Sequence, residues 1–149
     1  NGYLGTNSLL KQRVDAGIFQ VRWVNVSNTD ELLAACAGAS LLWLESPTNP
    51  ALEVADLPIV IPAAKKLGVV VAVDNTFATP DMYRPIESGI DLVIESLTKI
   101  LCGHSDITLG YVGGNSRLIQ LIKKIVFDFG FFPSPGDCWL MCRSLEKIF

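Results

Sequence analysis

The segment Val69-Val70-Val71-Ala72-Val73 is unbroken, apolar and mostly β-branched, and it stops abruptly at Asp74. A run this short does not cross a bilayer, which takes about 20 apolar residues. Its β-branching favours a strand over a helix. With no polar residue inside it, both faces need cover, as in a parallel sheet with helices on either side. The pattern recurs: Leu41-Leu42-Trp43-Leu44 reads as a second strand covered on both faces, Asp91-Leu92-Val93-Ile94 as a third, and Thr108 to Val112 as a fourth. Phe19 to Val26, rich in β-branched and aromatic residues, reads as a fifth.

Helical patterns fill the intervals. Thr6 to Ala16 carries Leu9, Leu10 and Val14 at helical spacing, with Gly17 as its stop. Ser27-Asn28-Thr29-Asp30 predicts a helix start, a hydroxyl as cap and an acid in the first turn, running to about Gly38. A further helix is expected from Leu57 to Leu67, ended by Gly68. A strongly amphipathic one carries Leu118, Leu121, Ile122 and Ile125, with Lys123 and Lys124 on another face. Pro133-Ser134-Pro135 marks a loop before a last helix with Trp139, Leu140 and Leu145. Strands alternating with helices argue an α/β domain built on a mostly parallel sheet, and 149 residues suit one such domain, 1–149.

Half of the residues are hydrophobic and 18% are charged, so the chain carries more apolar surface than a minimal domain hides, and missing chain or a second subunit is expected to cover some of it. A net charge of −3 gives no electrostatic reason to expect nucleic acid. Neither a membrane span nor a leader is read, and the start at Asn-Gly-Tyr suggests that the natural N-terminus lies upstream. Cys36, Cys102, Cys138 and Cys142 are scattered without a secreted-type framework, consistent with a cytoplasmic setting. Cys138 and Cys142 share a helix face among apolar neighbours and read as small buried hydrophobes. Cys102 and His104 are two donors where structural zinc takes four, so no metal site is read.

In α/β sheets ligands gather beyond the carboxyl ends of strands. Three such ends are chemically unusual. After Leu44 comes Glu45-Ser46-Pro47-Thr48-Asn49-Pro50, where flanking prolines restrict the turn and orient the Asn49 amide; the alternative is an Asn bonded only to its own backbone. Asp74 follows an apolar strand, where a carboxylate at the core rim needs a cation, a metal or a donor, unless it serves as a cap. Ile94-Glu95-Ser96-Leu97-Thr98-Lys99 is read as extended, with Ser96 and Thr98 on one side and Lys99 on the other. Two hydroxyls suit phosphate oxygens, and a lysine amine attacks carbonyl carbon once burial or nearby positive charge activates it; an exposed lysine at a strand end is the plainer reading. A phosphate grip, an amine for an aldehyde and a carboxylate for a ring nitrogen are the needs of pyridoxal phosphate, whose protonated ring acts as an electron sink. A Ser/His/Asp hydrolase is not supported, since no Gly-x-Ser-x-Gly elbow exists and the neighbours are adjacent in sequence. No Gly-rich nucleotide loop is present.

Most of the chain, from Tyr3 to about Leu145, resembles the central part of the Cys/Met-metabolism pyridoxal-phosphate enzymes, the cystathionine lyase and synthase family. The resemblance rests on Glu45-Ser46-Pro47-Thr48-Asn49-Pro50, Val73-Asp74-Asn75-Thr76-Phe77, Ser96-Leu97-Thr98-Lys99 and Gly103-His104-Ser105-Asp106, with Pro133-Ser134-Pro135 and Asp137-Cys138 in support. It implies the large pyridoxal-phosphate-binding domain of a fold-type-I, aspartate-aminotransferase-like enzyme. By that resemblance Lys99 forms the Schiff base and shuttles protons, Asp74 pairs with the pyridinium nitrogen, and Ser96 and Thr98 hold the phosphate. Asn49 orients the ring hydroxyl, and Tyr3 stacks on the ring and assists proton transfer. Leu4 stands where the family usually has Gly, which touches the geometry of the Tyr3 turn. His104 shapes the loop after the lysine.

The implied reaction is cleavage of cystathionine at its γ carbon in transsulfuration. Other family reactions are cystathionine γ-synthase, cystathionine β-lyase, methionine γ-lyase and O-acetylhomoserine sulfhydrylase; a truncated, non-catalytic binding module is the contrasting alternative. The implied partners are a sulfur-containing amino acid and, in full-length form, further copies in a dimer or tetramer. An N-terminal segment and a C-terminal domain, with its arginine for the substrate carboxylate, are expected to lie outside this sequence.

Overall fold

Helix and strand alternate along the chain much as the apolar runs predict. A computed structural model describes residues 2–148, with elements α1 (Leu4–Asp15), α2 (Thr29–Ala35), β1 (Leu41–Glu45), α3 (Leu57–Lys66), β2 (Val70–Asp74), α4 (Thr79–Met82), a 3-10 turn (Pro85–Ser88), β3 (Leu92–Ser96), β4 (Gly110–Gly114), α5 (Ser116–Phe129) and α6 (Pro135–Leu145). The strands lie in the order β1-β2-β3-β4. Strands β2 and β3 are parallel and β4 runs antiparallel to β3, giving the mixed, mostly parallel sheet flanked by helices that the sequence implies. No described helix is long and apolar enough to cross a membrane. The chain divides into two compact units, Asn1–Val71 and Ala72–Phe149, at a boundary inside β2.

In the first unit α3 shows why periodicity works. Leu57, Val60, Ile61 and Ala64, at i, i+3, i+4 and i+7, are its buried residues, and Lys65 and Lys66 place positive charge at its carbonyl end. They join Leu32, Cys36, Leu44, Ala55, Val69 and Val71 in the buried set. Helix α2 is capped by Asn28, whose Oδ1 accepts from the Glu31 amide at 3.1 Å; the expected hydroxyl is not the cap, and the helix ends at Ala35, short of Gly38.

The expected strand over 19–26 does not form. Arg22 instead sends Nη1 to the carbonyl oxygens of Ala35 and Ala37, at 2.7 and 2.6 Å. That satisfies the open carbonyl end of α2 and ties the stretch to a helix end rather than a ladder. Strand β1 forms, yet only Leu44 is buried while Leu41 and Trp43 are exposed, so cover on both faces is not found.

In the second unit β2 and β3 pair Ala72 with Leu92, Val73 with Val93 and Asp74 with Ile94. The β3–β4 register runs from Leu92–Gly114 to Ser96–Gly110, so β4 starts two residues later than the apolar pattern predicts. Gly114 is obligatory in this register: its φ is +140° and a methyl group there would run into the Asp91 carbonyl. A second apolar cluster comprises Leu101, Cys102, Ile107 and Met141, packed by Leu97, Leu109, Leu140 and Leu145. Asn115 caps α5 and Ser134 caps α6. Helix α5 is amphipathic as expected but has no buried residue; Leu121, Ile125, Phe127 and Phe129 remain exposed. Cys138 is half-buried and Cys142 exposed, so the pair does not form the buried set expected of it. Helix α4 and the 3-10 turn have no counterpart among the apolar patterns; Pro80 is the second residue of α4 and Pro85 opens the 3-10 turn, in a segment without periodic apolar spacing.

Candidate active site

Strand β2 carries Asp74 to its C-terminal end beside Ile94, and Ser96 lies two residues further along β3. Period-two alternation therefore sends both side chains to one face. Backbone pairing continues for one rung, Asn75 N–H to Ile94 O at 2.8 Å. At the next rung a side chain takes over. The Thr76 hydroxyl accepts from the Ser96 amide at 2.8 Å and donates to Asp74 Oδ1 at 2.5 Å, while the Thr76 amide donates to the same oxygen at 3.0 Å. One carboxylate oxygen is thus fixed by two donors, and Oδ2 takes no hydrogen bond from the described residues.

On the opposite face, Asn75 is fully buried and its Nδ2 donates to Tyr83 O and Glu95 Oε1, both at 3.0 Å. Burial pushes the Glu95 carboxyl above its ordinary value; the Asn75 hydrogen bond opposes that and the nearby Asp74 charge adds to it.

The chain does not continue extended to Lys99. Strand β3 ends at Ser96 and turns, with Lys99 N–H on Ser96 O at 3.2 Å, Cys102 N–H on Leu97 O at 3.0 Å and Gly103 N–H on Lys99 O at 3.0 Å. Backbone carbonyls left open at the strand end are satisfied by these turn bonds, so the alternation expected for Ser96, Thr98 and Lys99 stops after Ser96. Lys99 is exposed rather than buried, and its ammonium group has no partner among the described residues. The Ser96 hydroxyl is equally uncommitted. The Thr98 hydroxyl is engaged: it accepts from the Leu109 amide at 3.0 Å and donates to Leu109 O at 3.2 Å.

Beyond the turn, the loop is pinned to α6. His104 Nδ1 lies 2.6 Å from Cys102 O and 3.2 Å from Ser144 Oγ, and Arg143 Nη2 donates to Asp106 Oδ2 at 2.8 Å. The Arg143 and Cys102 hydrogen bonds hold the Asp106 carboxyl below its ordinary value. These contacts give His104 a loop-shaping part.

Tyr3 and Asn49 belong to the first unit. Tyr3 sits at the N-cap of α1, exposed, its amide donating to Glu45 Oε2 at 2.6 Å. Leu4 opens the helix 82% exposed, so its side chain is accommodated in solvent and the helix turn closes without glycine. Asn49 follows β1 in a turn knitted by buried Thr48 and Ser46: Thr48 N–H meets Glu53 O at 2.9 Å, Thr48 Oγ1 accepts from Glu53 N–H at 3.0 Å, and Ser46 Oγ accepts from Ala55 N–H at 3.1 Å. The Asn49 amide takes no partner from the described residues, its own backbone included.

The residues fit a group presenting a cationic ring nitrogen, phosphate oxygens and an aldehyde. The fold leaves Asp74 Oδ2, Ser96 Oγ and the Lys99 ammonium without partners among the described residues, at and just beyond the ends of two adjacent parallel strands, where they are open to a ligand. The Cys/Met metabolism PLP-dependent enzyme family matches residues 1–148. The chain belongs to this family.

Its relatives are similar throughout this stretch. Cystathionine gamma-lyase of Mus musculus is 36% identical over 149 residues, covering 98% of this chain and 37% of the relative. The chloroplastic cystathionine beta-lyase of Arabidopsis thaliana is 36% identical over 150 residues, covering 98% and 32%. A crystal structure of cystathionine gamma synthase from Xanthomonas oryzae pv. oryzae in complex with cystathionine superposes with a TM-score of 0.92 at 36% identity, over 97% of this chain and 38% of that one. The chain spans between about a third and just under half the length of the curated relatives it matches, 36%, 32% and 46% for three of them.

Two contributors are not assigned by the sequence pattern. Thr76 is visible there as a hydroxyl two residues after Asp74, a spacing that favours a side-chain turn. Glu45 is visible as a second carboxylate placed directly after an apolar strand.

Proposed function

We propose that the chain is the cofactor-binding part of a longer pyridoxal-phosphate-dependent carbon–sulfur lyase that cleaves cystathionine at its γ carbon. The observation that carries this reading is the trio of uncommitted groups, Asp74 Oδ2, Ser96 Oγ and Lys99 Nζ, in a chain of this family. The bound cofactor supplies an electron sink for carbanions on the substrate.

The chain's own residues do the rest. Lys99 Nζ would hold the cofactor through its aldehyde carbon, with loss of water, and would carry protons to and from substrate carbons. Asp74, aimed by Thr76, accepts from the ring nitrogen through Oδ2 and keeps it protonated. Ser96 donates its free proton to the phosphate, with Thr98 beside it. The Asn49 amide orients the ring hydroxyl, and Tyr3 stacks on the ring and moves a proton through its phenol oxygen. The whole protein acts in the cytoplasm as a dimer or tetramer, a reading supported by the exposed apolar side chains of α5.

Mixing the purified protein with pyridoxal phosphate is expected to shift the cofactor's visible absorption. Borohydride treatment should then fix one cofactor on the Lys99 peptide, and Lys99→Ala should abolish both effects. Wild-type protein that neither shifts nor retains the cofactor overturns the reading and leaves a non-catalytic binding module. Substrate choice is read from products: γ cleavage of cystathionine with water gives cysteine, 2-oxobutyrate and ammonia, whereas β cleavage gives homocysteine, pyruvate and ammonia.

A further inference from the structure

Helix α1 begins without an ordinary cap. Its N-cap residue is Tyr3, which makes no side-chain capping bond, and its first turn holds no acidic residue. The opening amides of a helix carry partial positive charge and need acceptors. In a capping box, a Glu or Gln three residues into the helix reaches back to the N-cap amide. Here that acceptor arrives from 42 residues away: Glu45 Oε2, at the C-terminal end of β1, takes the Tyr3 N–H at 2.6 Å. Asn7 closes the same turn, with its Nδ2 on Gly2 O and its N–H on Tyr3 O, both at 3.1 Å.

The phenol ring is set from its other side by an absence of atoms. A Cβ at Gly5 would lie 2.6 Å from Tyr3 Cε1, 3.2 Å from Cζ and 3.3 Å from Cδ1. The ring therefore lies over a position that only glycine leaves clear. Since Glu45 also begins the segment leading to Asn49, its carboxylate brings Tyr3 to the strand end that carries Asn49.

We propose that Glu45 is a positioning residue: its carboxylate anchors the Tyr3 backbone so that the phenol ring rests on Gly5 at the C-terminal end of β1. The proposal rests on the reading of Tyr3 as the residue that stacks on the cofactor, and its test separates the two.

The chain has three tyrosines, so protein labelled with 3-fluorotyrosine gives three fluorine resonances, with that of Tyr3 assigned by Tyr3→Phe. Without cofactor, Glu45→Ala is expected to move the Tyr3 resonance to its free-peptide position and leave Tyr83 and Tyr111 in place. Gly5→Ala should move it too, and Glu45→Gln, which keeps a neutral acceptor, should move it part of the way. An unmoved Tyr3 resonance in Glu45→Ala overturns the proposal. If that variant also displaces Tyr83 and Tyr111, the shape-preserving Glu45→Gln decides the matter by the same criterion.

With pyridoxal phosphate added, Glu45→Ala and Tyr3→Ala should each weaken binding up to about tenfold, the ratio matching the lower end for a hydrogen bond to a charged group. The double variant should weaken it no further. Wild-type binding by Tyr3→Ala, with the fluorine shift intact, overturns the stacking reading and leaves Glu45 as an anchor alone; independent, additive losses overturn positioning.

Discussion

Replacing Thr76 with Val keeps the side chain's shape and removes one oxygen that serves two partners. The Ser96 amide, 2.8 Å away, loses its acceptor, and Asp74 Oδ1 loses a donor at 2.5 Å while keeping the Thr76 amide at 3.0 Å. A hydrogen bond to a charged group contributes about 1.5–3 kcal/mol, and a stranded buried amide costs about 1–3 kcal/mol. Asp74, Thr76 and Ser96 are all half-buried, so water replaces part of each loss and the total falls just below the sum of the two lower ends, at about 2 kcal/mol. For a chain of this length that corresponds to a fall in Tm of roughly 4–8 °C. Urea unfolding of Thr76→Val, Thr76→Ser and the wild type measures it. Serine retains the hydroxyl and should recover most of the loss. If the valine variant unfolds within about 0.5 kcal/mol of the wild type, the relay from Ser96 through Thr76 to Asp74 has no energetic weight and Asp74 is oriented by something else.

Three further outcomes follow from single sites. The raised pKa of Glu95 means that the folded protein holds this proton at pH values where the unfolded chain has released it. The associated stability is therefore present in acid and declines as pH rises from the ordinary glutamate range to the raised value; Glu95→Gln should gain on the wild type across that window, measured as urea midpoints in a pH series. Asp106 shows the opposite sign, since Arg143 and Cys102 lower its pKa. Its contribution is present above the ordinary aspartate range and lost as pH falls towards the lowered value, so melting curves of Asp106→Asn and wild type should converge in acid. Gly114→Ala, which combines a φ of +140° with collision against the Asp91 carbonyl, should cost about 3 kcal/mol or more in equilibrium unfolding.

Local pattern reaches as far as local physics does. The apolar runs at Val69–Val73 and Leu92–Ile94 form the bodies of β2 and β3 because short, β-branched apolar sequence leaves few alternatives to a strand. Phe19 to Val26 shows the limit: β propensity describes fitness for a sheet, and without a neighbouring strand the stretch is held by Arg22 on α2 instead. The strand ends carrying Asn49, Asp74 and Lys99 are readable because polar residues directly after apolar strands stand out. The turn that begins after Ser96 is not, since Leu97 and Thr98 suit an extended chain equally well and only carbonyl pairing stops the strand. Thr76 and Glu45 are visible as residues, but their distant partners are not: the Ser96 amide lies 20 residues from Thr76 and the Tyr3 amide 42 from Glu45, separations that spacing alone does not connect.

A hydroxyl has a single hydrogen, and at Thr98 that hydrogen already points to the Leu109 carbonyl. Any anion that draws on Thr98 must therefore take it from Leu109, loosening the entry into β4, whereas Ser96 answers the same anion with nothing to release. Occupancy at this strand end is consequently audible at a distance: the Leu109 amide, still hydrogen-bonded to the same oxygen, becomes a natural reporter whose solvent exchange rate rises or falls with what its neighbour holds.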